Sequence, residues 1–109
     1  MKTILPTLAL TLFSIANVSF AADIIKGEAI FTSNCAGCHA GGQNFLAPHK
    51  SLSKADLEKN QVNTSAAIID KVINGQSPMP GFGKLGIISA EDIENVAAYV
   101  LKKSEADWK

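Results

Sequence analysis

The sequence predicts an all-α fold of four to five helices in which the first and the last cross one another. Three observations predict it. Apolar residues recur at helical spacing between Asp23 and Asn34, from near Asn63 or Thr64 to Asn74, and between Ser89 and Lys103. The first and last of these windows open on residues whose side chains can cap a helix, Asp23 and Ser89. No stretch alternates polar and apolar residues over the length of a half-buried strand.

Of the 109 residues, 1–21 read as a removable signal peptide. Met1 and Lys2 form a short basic region, Ile4 to Val18 a mostly apolar run interrupted by Pro6, and Ser19-Phe20-Ala21 a small-x-small cleavage site. The run is too short for a comfortable membrane span. Cleavage after Ala21 leaves residues 22–109 as one small domain outside the cytoplasm. A domain of this size buries a modest core and calls for a staple. Ten lysines, with no arginine, balance ten acidic residues, and there is no basic patch of the kind nucleic acid requires. Without Lys2 the mature chain carries one more acid than lysine.

The pentapeptide Cys35-Ala36-Gly37-Cys38-His39 carries the chemistry. In an exported chain, C-x-x-C followed at once by His is the pattern by which haem is covalently attached. Residues three and four apart share one face of a helical turn, so both thiols and the imidazole can address one flat ligand. Cys35 and Cys38 would add across the haem vinyl groups, and His39 would take one axial position on the iron. C-x-x-C alone also fits a disulfide or a thioredoxin-like pair, but the adjoining His favours haem. The staple that so small a domain needs is then the cofactor.

The remaining elements follow in order. Asp23 caps an amphipathic helix whose Gly27, Ile30, Phe31 and Asn34 share one face, and Gly27 suits close approach of a second helix. Ala40 to Pro48 has no period and reads as a loop over one haem edge, with the Pro48 carbonyl as the expected acceptor for the second ring N–H of His39. His49, the only other histidine, lies in a polar segment and reads as solvated, with iron ligation as its minor alternative. Ser53-Lys54-Ala55-Asp56 opens a short helix to about Lys59, and a polar connector follows. Ile68, Ile69, Val72 and Ile73 then form the apolar face of a helix stopped by Asn74-Gly75.

Pro78 and Pro80 stiffen the backbone around Met79, the only methionine after Met1. Methionine usually fills core gaps. Beside a haem motif, a Met presented by a stiff loop reads instead as the sixth iron ligand. Ser89-Ala90-Glu91-Asp92 opens the last helix, where Ile93, Val96, Ala97 and Val100 share a face and Lys102 and Lys103 sit at the negative end. Ala97 and Ala98 let it cross the first helix near Gly27, with Phe31 and Tyr99 in contact. Glu105 to Lys109, including Trp108, reads as a frayed tail.

These stretches together resemble the cytochrome c6 family of class I c-type cytochromes. The likeness runs through Gly27-Glu28-Ala29-Ile30-Phe31, Asn34 to Gly42, Ala47-Pro48, Asn74-Gly75, Met79-Pro80 and Glu91 to Val100. It implies the class I cytochrome c fold around one covalently bound haem c, a monomer with no membrane insertion of the mature chain. It implies a non-enzymatic carrier in the thylakoid lumen, with the cytochrome b6f complex (its cytochrome f) as donor and photosystem I as acceptor. The periplasm is the alternative location. Two departures bear on tuning and docking. The family commonly has an Arg before the last helix, where Lys84 is the nearest cation here, and often a Gln near the haem where this chain has Lys71.

The function expected is one-electron transfer, with His39 and Met79 closing both axial positions so that no site remains for oxygen or peroxide. Transfer would use an exposed haem edge ringed by Phe45, Pro78 and Phe82. Three rivals are a haem enzyme or gas sensor with a labile Met79, a thioredoxin-like oxidoreductase, and a bacterial small cytochrome c donating to a terminal oxidase.

Overall fold

The computed structural model describes residues 22–109, so the signal-peptide reading of 1–21 lies outside the described residues. Five α-helices follow in order: α1 (Ile24–Asn34), α2 (Ala36–His39), α3 (Lys54–Lys59), α4 (Ser65–Asn74) and α5 (Ala90–Glu105). Short 3₁₀ turns at Ala40–Gly42 and Pro48–Lys50 interrupt the loop after α2. Among the described residues there is no strand, only an isolated bridge between Gln76 and Met79.

The frame is the crossing of α1 and α5. Asp23 caps α1 by accepting from the backbone N–H groups of Ile25 and Lys26, each at 3.0 Å. Its own N–H donates to Asn95 Oδ1 at 2.8 Å, which satisfies a polar side chain buried inside α5. Gly27 is the contact residue: a Cβ there would run into the Asn95 carbonyl and come within 2.9 Å of the Tyr99 Cβ. The Lys26–Glu91 pair across the same crossing is exposed and spans 4.0 Å, so it adds little.

Phe31, Ile93, Val96, Ala97 and Val100 form the centre of the core, with Leu57 from α3 and Ile68 and Val72 from α4 closing it. The three capped starts appear as their side chains require. Thr64, Ser53 and Ser89 accept from the N–H groups of Ala67, Asp56 and Asp92, each at 3.1 Å. Asp56 does not return a bond to Ser53. Its carboxylate takes the Ser51 hydroxyl at 2.6 Å and the Ser51 N–H at 3.2 Å, tying the preceding loop to α3.

The tail reading is corrected. Asp107 and Trp108 take left-handed backbone angles, with φ 58 and 59, and turn the chain back on α5. Trp108 N–H donates to the Lys103 carbonyl at 2.7 Å, and the indole packs with Phe31 and Tyr99 at centroid distances of 5.4 and 6.2 Å. Two left-handed residues cost on the order of 1 kcal/mol each, and aromatic contacts of this kind each contribute about 0.5–1.5 kcal/mol. The polarity of the last residues suggested solvation, but one large aromatic outweighs it.

Two outcomes test this frame. Gly27→Ala is expected to lower the stability of the holo-protein by about 1–3 kcal/mol in denaturant unfolding, because the new methyl meets α5 backbone that cannot rotate away. The Ser51 hydroxyl, then the Ser51 N–H, hold the Asp56 carboxyl below its ordinary value. The stability this contributes is present above that value, near 3.9, and is lost as pH falls through the lower folded one. Asp56→Asn should therefore be less stable than the parent at pH 6, with the difference shrinking below about pH 4 in thermal melts.

Candidate functional site

Only Cys35 separates α1 from α2, and the helical bonding barely pauses there. Cys35 N–H donates to the Phe31 carbonyl at 2.8 Å, and the N–H groups of Cys38 and His39 donate to the Cys35 carbonyl at 3.1 and 2.9 Å. The motif therefore stays wound, and Cys35, Cys38 and His39 all line the same cavity, as spacing of three and four predicts.

The His39 Nδ1 lies 2.8 Å from the Gln43 carbonyl oxygen. A carbonyl only accepts, so Nδ1 carries the proton and Nε2 keeps its lone pair for a metal. The expected acceptor was the Pro48 carbonyl, and the structure replaces it with Gln43. The reason is local: Gly41 and Gly42, at φ 66 and 80, fold the chain tightly back so that the residue four positions on reaches the ring. The glycine pair Gly41-Gly42, one residue beyond the histidine's neighbour Ala40, was the available sign of that turn.

Met79 comes from a segment forty residues away in sequence. Gln76 and Met79 exchange both backbone hydrogen bonds, at 3.1 and 2.8 Å, with Pro78 between them and Pro80 after. The exit is sewn to α4: Gly83 N–H donates to the Val72 carbonyl at 3.2 Å and Lys84 N–H to the Ile73 carbonyl at 3.0 Å. Gly75, with φ 72, ends α4 and leaves room for the Met79 carbonyl, 2.6 Å from where its Cβ would stand. Both prolines and both tethers restrict the backbone that presents the thioether.

His39 and Met79 line one cavity of about 420 Å³, within the range of cofactor sites. Phe31, Leu57, Ile68, Val72, Val96 and Val100 make its apolar walls, so the core and the cavity are the same place. Cys35 and Cys38 are free thiols. Burial pushes the Cys35 thiol up to about 11. A redox dithiol attacks through a thiolate of lowered pKa, which the buried Cys35 does not supply. An imidazole nitrogen, a thioether and two thiols on one apolar chamber form the donor set that a covalently held haem requires, and the residues fit that group.

The other expected residues fall as follows. Pro78 and Phe82 line the cavity, and Pro78 is exposed, which puts it at the rim. Phe45 is 55% exposed beside Leu46, a lining residue that is 64% exposed, so Leu46 marks the rim there. His49 is not among the lining residues, and its carbonyl accepts from Asn60 Nδ2 at 3.5 Å. Lys71 does line the cavity, with its ammonium 2.6 Å from Gln76 Oε1. A cation on that wall favours the more negative, reduced state of whatever the chamber holds.

Comparison with known proteins agrees with this geometry. Residues 22–100 match the family model described as cytochrome C oxidase, cbb3-type, subunit III. A cytochrome c6 of Rippkaea orientalis is 54% identical over 91 residues, covering 84% of this chain and 80% of the relative. A cytochrome c6 of a Nostoc species is 49% identical over 102 residues, covering 94% and 90%. The solved structure of cytochrome c6 from the diatom Phaeodactylum tricornutum superposes with a TM-score of 0.76 at 48% identity, covering 80% of this chain and all of that one. The helices, the His39 and Met79 placement and these likenesses lead to one conclusion: the chain belongs to the cytochrome c6 family, class I c-type cytochromes that carry electrons by means of a covalently bound haem c.

Proposed function

We propose that this protein is a one-electron shuttle in the thylakoid lumen, taking electrons from cytochrome f of the cytochrome b6f complex and delivering them to photosystem I. The observation that carries the reading is the joint placement of Cys35, Cys38, His39 and Met79 on one apolar cavity. Cys35 and Cys38 would hold the haem as thioethers, and His39 and Met79 would ligate its iron. Bound there, the haem supplies a ferrous/ferric couple. The protein's part is to keep that couple simple. The Gln43 carbonyl holds the His39 tautomer, the Gln76–Met79 bridge holds the thioether, and the apolar walls exclude water. Two side chains on the iron would leave no position for oxygen or peroxide, which supports a carrier over an enzyme or sensor.

Leu46 and Pro78 at the cavity rim are an uncharged edge suited to brief docking at two partners in turn. The mature chain, residues 22–109, acts after removal of 1–21, a reading supported by the basic, apolar and small-residue pattern of the leader. The mass of the purified protein checks the cleavage site. Donation to a terminal oxidase is the second reading, favoured by the oxidase-subunit description of the matching family model.

Flash kinetics with photosystem I decides between these partners. Rapid reduction of the photo-oxidised centre, with a modest dependence on salt, is expected because lysines and acids nearly balance. No reduction there, with turnover by an oxidase, would transfer the assignment to the second reading. Met79→Ala tests the ligand set. It should abolish the weak red charge-transfer band of the ferric protein and admit cyanide. It should also lower the midpoint potential by a fraction of the roughly 0.8 V that axial-ligand choice spans. Retention of that band in the variant would remove Met79 from the iron.

A further inference from the structure

We propose that Trp108, distant in sequence from the motif and absent from the cavity walls, is a positioning residue for the axial imidazole of His39. The inference rests on His39 as an iron ligand and adds what holds that ligand in place.

The linkage is a continuous set of contacts. After α5 the chain reverses at Asp107 and Trp108, so the indole points back to the loop that follows α2. Trp108 Nε1–H donates to the Leu52 carbonyl at 2.9 Å. Leu52 N–H in turn donates to the Gly42 carbonyl at 2.7 Å. Gly42 is buried against the same indole: a Cβ there would fall 2.5 Å from Cδ1 and closer still to Nε1 and Cε2. Indole, Leu52 and Gly42 thus close on one another. The next residue is Gln43, whose carbonyl accepts from His39 Nδ1 at 2.8 Å. The peptide joining Gly42 to Gln43 is tied further by the Gln43 N–H, which donates to the Ala40 carbonyl at 3.2 Å.

The consequence is electronic as well as mechanical. A firm Nδ1–H···O=C bond makes the imidazole a stronger donor and so favours the ferric state. Slackening the Gly42–Leu52 clasp lets the Gln43 carbonyl drift and weakens that bond, which favours the ferrous state. The indole also packs at a tilt against Phe31, a wall residue of the cavity, so the ring is braced by the core while it grips the loop.

Trp108→Phe keeps a ring and removes the N–H donor. In the holo-protein, at a fixed ambient potential, the ferrous-to-ferric ratio should rise two- to tenfold. Ala98→Gly in α5, which loosens the helix without touching the loop, serves as a variant of comparable melting temperature, and its ratio should stay at the parent value. Equal ratios in all three proteins, or a shift in the opposite direction for Trp108→Phe, overturn the proposal. A measurement on the unmodified protein keeps it testable if the variant does not fold. In the ferrous holo-protein the Trp108 Nε1–H and His39 Nδ1–H should exchange with solvent through a common opening, with protection factors within about threefold. Free exchange at Trp108 beside a well-protected His39 overturns it. Ring-current-shifted His39 protons report ligation separately. Their absence overturns the site assignment, whereas their presence with an unshifted Trp108→Phe ratio overturns only the role of Trp108.

Discussion

The close approach of α1 and α5 at Gly27 is the constraint from which the rest of this fold follows. A side chain at that position would collide with the backbone at Asn95, so the crossing exists only where the first helix has no Cβ. The crossing is fastened by Asn95 accepting from Asp23 N–H, a buried amide placed where the capping residue can satisfy it. With the two helices locked, Phe31 on one and Val96 and Val100 on the other face a common chamber, and the end of α1 delivers the C-x-x-C-H motif to its edge.

His39 and Met79, the two side chains proposed to hold the iron, are positioned by different physics. His39 is set by short-range structure, a wound turn continuing from α1 and a carbonyl four residues on. Met79 is set by restriction of the chain: prolines on both sides, a two-bond bridge to Gln76, and tethers that sew the loop to the end of α4. The first is inexpensive in entropy because helical propagation has already ordered it, while the second orders residues that would otherwise be free. Such preparation suits a carrier, since a site that does not rearrange between oxidation states exchanges electrons readily at brief encounters.

The wall of the chamber adds charge sparingly. Lys71 brings its ammonium to the wall in company with Gln76, whose backbone also holds Met79. One residue, Gln76, therefore links the position of a cation to the position of Met79. At the rim Leu46 and Pro78 are uncharged and the exposed Lys50 is a second cation, so apolar contact is available there for brief docking.

Helix positions, caps and the shared face of the C-x-x-C-H motif were legible in the sequence, because each depends on neighbours within four residues. Asp23, Thr64 and Ser89 cap the helices they precede, and Cys35, Cys38 and His39 share a face because helical spacing leaves no alternative. Even the contact of Phe31 with Tyr99 followed from one glycine and two periodic stripes. Three contacts were decided only in the folded chain: the Gln43 carbonyl as partner of His39 in place of Pro48, where the glycines marked a turn but not its acceptor, the return of Trp108 to Leu52 and Gly42 in place of a frayed end, and the Asp56 carboxylate turned to Ser51. Each is a choice among several donors and acceptors of similar chemistry, and only the distances set by chain packing decide which of them meet.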